Sequence, residues 1–491
     1  MQAFTRATVL AATTLLSVPS MAGAFADCPA DHITDGYTCD EQTGAGKTGG
    51  FFRITFPSNW DGDLVIYNHG FDLNDLHIRP HEVCGNGSHI SCEQDTDCTL
   101  SGSNQWCNNI SYSGLDEILL PMGKAIAAST YSTSGWAPFQ SAKDIKDILQ
   151  YVKKESGRYD ELKRVIITGF SGGGAVTLDA TLKLNIDGAV PLCGAVGGGT
   201  PTWDLATDVR MIYDYLCDDV PGAVFTSEPD VGEKNSANSG ADSIGVAIKV
   251  NACFGSLSPS ANPVEAAAQA DRLAKFMELS TFEGNTGVEL ITAIGFATLG
   301  VGDFVRDKNR LNNKPFGLNE TADYSTLNGG GPEATAFNAG VQRLSAGQGR
   351  KKVAKASWPD YTRGKGKNAD YPILSMAGSA DWLVVPQFQS VFTTARSDGD
   401  KPTTQTWISS YGHCVFTPEE MTATFNSYFD WLGPVDGPYG VQPTAQDVED
   451  ACLALPTGVD GDTCNFNTGY SPGLLMSRIP ARPDWPYAAT H

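Results

Sequence analysis

A chain of 491 residues, 41% hydrophobic and only 18% charged, can bury a core for one elaborated domain or two, and no low-complexity tract marks it as disordered. Its formal net charge of −22 argues against nucleic acid or an anionic membrane surface as a partner, because phosphates would be repelled.

Residues 1–26 carry Arg6, an apolar stretch from Ala7 to Val18 and the small-residue site Ala24-Phe25-Ala26 ahead of Asp27. This is the pattern of a secretory signal peptide cleaved after Ala26. The apolar stretch is short and broken by Thr13, Thr14 and Ser17, unlike an anchor, and no later stretch reads as long and apolar enough to span a bilayer. The expectation is a soluble protein of the periplasm or the extracellular space. All 12 cysteines follow residue 26, an even number that suits an oxidising compartment. Cys28 with Cys39, and Cys452 with Cys464, read as local loops; Cys84, Cys92, Cys98 and Cys107 form a cluster. Cys193, Cys217, Cys253 and Cys414 are left for long-range pairing, with the connectivity open.

Phe51–Phe56 and Asp63–Tyr67 are predicted strands separated by Pro57, Asn59 and Gly62. Gly44–Thr48 resembles a phosphate loop but has Glu41 where that loop needs glycine, and is rejected. The second strand ends in Asn68-His69-Gly70-Phe71, a small-residue turn where the amide of Phe71 or Gly70 is placed to donate to an oxyanion. Residues 74–113 have too few apolar side chains for a core and read as a disulfide-rich insertion. Their histidines, His77, His81 and His89, do not predict a metal site: Pro80 breaks any helix that would align the first two, and oxidised cysteines are not zinc ligands. Asp95 and Asp97 fall short of a calcium loop.

Lys124–Tyr131 is a predicted buried strand, followed by Trp136, a candidate substrate-binding aromatic. Ser141–Ser156 has Ile145, Ile148, Leu149 and Val152 at helical spacing. The β-branched run Val165–Thr168 then meets Gly169-Phe170-Ser171-Gly172-Gly173, and Ala175–Leu184 reads as the following helix. A strand turning sharply into a helix holds Ser171 in a cramped conformation, with glycines making room and the Gly172 amide facing the attacked group. Gly188–Cys193 is the next strand, so the alternation predicts a mostly parallel sheet flanked by helices, with sites at the carboxyl ends of its strands. Residues 201–370 interrupt this rhythm with helix-like stretches at Trp203–Leu216, Pro263–Leu279 and Val288–Leu299, and read as a helical cap ending in a basic loop over Arg350–Lys367.

A serine hydroxyl needs a base, usually a histidine oriented by a carboxylate. His413 follows the strand-like Thr404–Ser410, and Asp381 follows the apolar strand Tyr371–Ala377. Asp398 and Asp400 lie in a turn-like run and read as solvated. Trp382, beside Asp381, is a second candidate substrate-binding residue.

The glycine-ringed Ser171, the upstream His69-Gly70, the Gly378-to-Asp381 loop with Val384-Val385-Pro386, Gly412-His413 and the order Ser171, Asp381, His413 resemble the α/β-hydrolase superfamily over about residues 50–435. The resemblance implies Ser171 as nucleophile, His413 as general base and then acid, Asp381 as orienting carboxylate, and the amides of Gly172 and of Phe71 or Gly70 as oxyanion hole. It implies an α/β-hydrolase core over residues 27–200 and 371–432, a cap insertion over 201–370 and an extension over 433–491. The implied activity is a secreted serine hydrolase acting on a small-molecule or polymeric carboxylic ester, with a serine peptidase as the alternative; no cofactor, metal, nucleic acid or membrane span is expected. His413-Cys414 and the several disulfides are similar to tannase-like and feruloyl-esterase-like enzymes, and extracellular polyester depolymerases are similar in general organisation. The tannase-like and feruloyl-esterase-like enzymes bond the histidine-adjacent cysteine to one just before the serine. Phe170 occupies that place, so Cys414 pairs elsewhere, with Cys193 for instance, or stays free.

Overall fold

The computed structural model describes residues 39–71, 112–132, 135–234, 239–280, 286–307, 310–356, 371–397, 402–435, 437–456 and 463–473, together with 83–84, 107–108, 282, 284, 479, 480, 482 and 485. The predicted signal peptide, nearly all of the 74–113 insertion, and Asp398 and Asp400 lie outside them.

Eight strands form one sheet: β1 (Cys39–Ala45), β2 (Phe51–Pro57), β3 (Asp63–Asn68), β4 (Ala125–Ser129), β5 (Arg164–Phe170), β6 (Gly188–Leu192), β7 (Ile373–Ala380) and β8 (Thr403–Tyr411). Their order is β1-β2-β4-β3-β5-β6-β7-β8. β2 runs antiparallel to β1 and β4, and every pairing from β4 to β8 is parallel. The central strands read as continuous Val, Ile and Ala runs because helices cover both faces. On one face, α2 (Ser141–Lys154) and α3 (Gly172–Lys183) bury Ile145, Ile148, Val176 and Leu178 against Ile54, Ile66 and Ile167. On the other, α1 (Leu115–Leu119), with α12 (Pro418–Leu432) and α13 (Ala445–Leu453) from the end of the chain, packs Leu115, Phe425 and Trp431 against Val65, Ile166 and Leu374.

Between β6 and β7 the chain leaves the sheet for α4 (Gly199–Cys217), α5 (Ser239–Phe254), α6 (Pro263–Leu279), α7 (Gly287–Gly295), α8 (Val301–Arg306), α9 (Pro332–Gly340) and α10 (Arg350–Ala356); α11 (Gln387–Ser397) follows β7. These inserted helices share a hydrophobic cluster built on Trp203, Tyr213, Phe254, Phe276 and Phe304.

Several sequence expectations are corrected here. Strand β1 carries no apolar alternation, being Cys-Asp-Glu-Gln-Thr-Gly-Ala, and exists because an edge strand needs only its neighbour's hydrogen bonds. Arg350–Ala356 is a helix rather than a basic loop: Arg350 is buried, with two bonds of 2.7 and 2.8 Å to Asp204 that neutralise it. The run Gly287–Arg306 is one continuous helical element, long and apolar enough to cross a membrane, contrary to the reading that no later stretch qualifies. Most of it is buried inside the insertion, where an all-round apolar helix also belongs.

Charge is buried at both ends of the molecule. At the amino ends of β3 and β5, Asp63 accepts two bonds from Arg164 (2.7 and 2.6 Å) and one from Lys124 (2.8 Å), and these cations hold its carboxyl below the usual range against the opposing cost of burial. In the insertion, Arg482 from the end of the chain donates to Asp208 at 2.6 Å, and the Trp485 indole to Asp204 at 2.7 Å. Burial pushes the Asp208 carboxyl up to about 6 despite Arg482. The described part of the 433–491 extension therefore packs on the core through α13 and into the insertion through Arg482 and Trp485.

Candidate active site

Ser171 stands between the last residue of β5 and the first of α3, with φ 56° and ψ −121°. That is an unfavourable conformation for a residue with a Cβ, held here by a strand and a helix that leave no room for a longer turn. A Cβ on Gly173 would lie 2.0 Å from the Asn68 carbonyl oxygen, and one on Gly169 would lie 2.5 Å from the same oxygen. The glycines flanking the serine are thus required by contact with β3, whose Asn68 is in register with Gly169.

The loops after β7 and β8 bring the other two groups to this edge. His413 Nε2 is 2.8 Å from Ser171 Oγ, and His413 Nδ1 is 2.7 Å from Asp381 Oδ2. Asp381 is buried, and its Oδ1 accepts from the amides of Leu383 and Val384 at 2.9 Å each, so the carboxylate has a fixed face for the imidazole. With Nδ1–H donating to Asp381, Nε2 is left to accept the serine proton. Strand β7 runs to Ala380, further than the sequence indicated, so Asp381 follows the strand directly.

Gly172 begins α3, and a Cβ on it would come within 3.0 Å of the Phe71 amide nitrogen. The Phe71 amide, rather than that of Gly70, is thus the group beside Gly172. Among the described residues, neither the Phe71 nor the Gly172 amide has an acceptor. His69 steadies this turn: its Nδ1 donates to the Gly70 carbonyl at 2.9 Å, its ring lies 4.2 Å from that of Tyr131, and the Tyr131 hydroxyl donates to the His69 carbonyl at 3.0 Å.

A carbonyl carbon placed at Ser171 Oγ would have a base on one side and two amides for its oxygen on the other. Serine after β5, carboxylate after β7 and histidine after β8, on a sheet ordered β1-β2-β4-β3-β5-β6-β7-β8 with helices inserted after β6, form a combination that few architectures share. The chain has the α/β-hydrolase fold. Solved structures similar to it include an esterase of Pyrococcus furiosus (11% identity, 80% of this chain and 90% of the other, TM-score 0.37) and Candida antarctica lipase A in its closed state (12%, 85% and 86%, 0.36). Another is the acylaminoacyl peptidase of Pyrococcus horikoshii (10%, 84% of this chain and 44% of the other, 0.37). No protein-family model and no curated protein matches the sequence.

The two candidate substrate-binding aromatics lie apart. Trp136 is 2% exposed and packs edge-on against Trp203, 5.4 Å between ring centroids, so it is a wall behind other rings and offers no open surface. Trp382, half-buried beside Asp381, touches Phe282 of the insertion at 6.0 Å.

Cys193, just past β6, is bonded to Cys414, beside His413, across 221 residues of sequence. Both cysteines have positive φ, 42° and 58°. The Ser171 amide donates to the Leu192 carbonyl at 3.0 Å, so the bridge ties the histidine loop to the strand that also braces the serine. Cys217–Cys253 joins α4 to α5, and Cys452–Cys464 closes a local loop, as its spacing indicated. Phe296 and the ring of Phe71 are the site neighbours that sequence reasoning missed. Phe296 lies some eighty residues or more from any motif, and only its place in an unusually apolar helix set it apart.

Proposed function

We propose that this chain is an exported serine hydrolase that cleaves carboxylic esters through an acyl-enzyme. The observation that carries the reading is the unbroken chain from Ser171 Oγ to His413 Nε2 and from His413 Nδ1 to Asp381, starting from a strained serine. His413 takes the serine proton as Oγ attacks the ester carbonyl, and Asp381 holds the imidazole in the tautomer with Nε2 free. The oxyanion of the tetrahedral intermediate forms between the Phe71 and Gly172 amides, where removal of one donor typically costs about 100- to 1000-fold in turnover. His413 then returns the proton to the leaving alcohol, and water repeats the sequence to free the acid. No metal or cofactor enters these steps. In this reading residues 1–26 direct export, residues 201–370 act as a cap, and the disulfides among the described residues fit an oxidising compartment.

The test is hydrolysis of p-nitrophenyl acyl esters of graded length beside aminoacyl anilides, with wild type, Ser171→Ala and Asp381→Asn. Esters should be cleaved, Ser171→Ala should abolish turnover, and Asp381→Asn should lower kcat by about 10,000-fold. Anilide turnover well above ester turnover would make the enzyme a peptidase. Unchanged ester hydrolysis in the alanine variant would end the serine mechanism.

A further inference from the structure

Three loops carry the site, and each touches the same region of the helical insertion. Phe71, on the oxyanion turn, meets Phe296 edge-on with ring centroids 5.1 Å apart. Trp382, on the acid loop, meets Phe282, and the hydroxyl of Tyr411, at the end of β8 two residues before His413, bonds the carboxylate of Glu289 on α7. The stretch from Phe282 through α7 to Phe296 therefore contacts the three segments that carry the oxyanion turn, the acid and the histidine.

Phe296 has a local reason to stand where it does. It opens a five-residue π-helical turn, Phe296–Gly300, between α7 and α8, a device that inserts an extra residue and re-aims side chains. Thr298 Oγ1 donates to the carbonyls of Ile294 (2.8 Å) and Gly295 (3.1 Å), satisfying backbone oxygens at the irregularity. A Cβ on Gly300 would come 3.1 Å from Phe296 Cδ2, so glycine there leaves the ring its place. Behind it Trp203 stacks on Phe296 at 5.4 Å and on Phe304 at 4.2 Å, both of these backing rings buried. Phe71 and Phe296 are only half-buried, so the aromatic stack ends in them, at the turn whose Phe71 amide lies by Gly172.

The stereochemistry of acyl transfer assigns sides to the site. At the attacked carbon the leaving oxygen must face His413 Nε2, which protonates it, and the oxyanion must lie between the Phe71 and Gly172 amides. The remaining substituent, the acyl chain, leaves away from His413, and the nearest part of the insertion to the oxyanion turn is Phe296, in contact with the Phe71 ring. We propose that Phe296 determines acyl specificity: its ring, set against Phe71 by the π-helical turn, closes the acyl side of the site, so that the enzyme favours esters of short acyl chains over long ones. This rests on the serine-esterase reading above.

The test compares kcat/KM for p-nitrophenyl acetate, butyrate and octanoate in wild type, Phe296→Ala, Phe296→Leu and a remote control, Val264→Ala, whose side chain is exposed on α6. Wild type should prefer acetate and butyrate. Phe296→Ala should raise the octanoate-to-acetate ratio about tenfold or more, the scale of a few methylenes gaining a pocket, and Phe296→Leu, which keeps apolar packing, should fall between. The control should leave the ratio unchanged, and unfolding midpoints will show that the variants are folded. Equal loss on all three esters in both Phe296 variants would reduce Phe296 to packing and overturn the proposal, as would a wild-type preference for octanoate. Ester turnover that survives Ser171→Ala would instead defeat the hydrolase reading, and the specificity assignment with it.

Discussion

Opening the Cys193–Cys414 bridge with Cys193→Ala/Cys414→Ala perturbs two things at once, and their sizes can be worked separately. The bridge closes a loop of 221 residues, and the chain-entropy relation for a loop of that length gives about 5 kcal/mol of stabilisation lost from the unfolded-state side. Locally, Cys414 sits at φ 58° beside Gly412 at φ 120°, so His413 is flanked by two left-handed residues, and for the cysteine that conformation costs about 1–2 kcal/mol. With the tether gone, that conformation loses its covalent restraint, and about 1–2 kcal/mol of relief corresponds to a roughly 5- to 30-fold shift of the loop away from the arrangement in which His413 bonds Ser171 and Asp381. The expected result is a lower urea midpoint together with a kcat reduced by about that factor on p-nitrophenyl butyrate, KM being little changed. A lower midpoint with kcat intact would refute the positioning argument, since Asp381 would then suffice to place the imidazole. A midpoint that does not move would refute the loop-entropy argument as well.

Three further outcomes follow from buried polar groups and the serine turn. Asp63→Asn leaves Arg164 and Lys124 without their shared carboxylate and should cost about 3–5 kcal/mol in urea unfolding, while kcat is kept because the pair lies at the opposite end of the strands from Ser171. Asp179 is raised to about 7 by burial, partly offset by Lys183 at 2.7 Å. A folded value above the unfolded one means that its stabilising contribution is complete below about pH 4 and declines until about pH 7, so the melting temperature of Asp179→Asn should gain on wild type as pH rises across that window. An unchanged difference between pH 4 and pH 7 would contradict the assignment. Gly173→Ala, whose Cβ would fall 2.0 Å from the Asn68 carbonyl, should displace the serine turn and reduce kcat more than an alanine at the open Gly245 of α5; equal kcat values would contradict it.

What sequence alone determined follows from interactions that are local or periodic. The β-branched run at Val165–Thr168 and the mostly apolar run at Ile373–Met376 read as strands covered on both faces, and Ile145, Ile148 and Val152 recur at the helical period that buries one stripe. The glycines around Ser171 announce close backbone contact, and strand-end positions for Asp381 and His413 follow from the same patterning. Edge strand β1 and helices such as α10 were not legible, because hydrogen bonds to β2 and the ion pair of Arg350 with Asp204 stabilise them and neither partner is a sequence neighbour. Only the tertiary structure decided that Cys414 bonds Cys193, that the Phe71 amide nitrogen lies beside Gly172, and that Trp136 is enclosed while Phe296 is not. Each of these depends on which distant loops the sheet brings to one edge, a matter of long-range packing that no window of sequence contains.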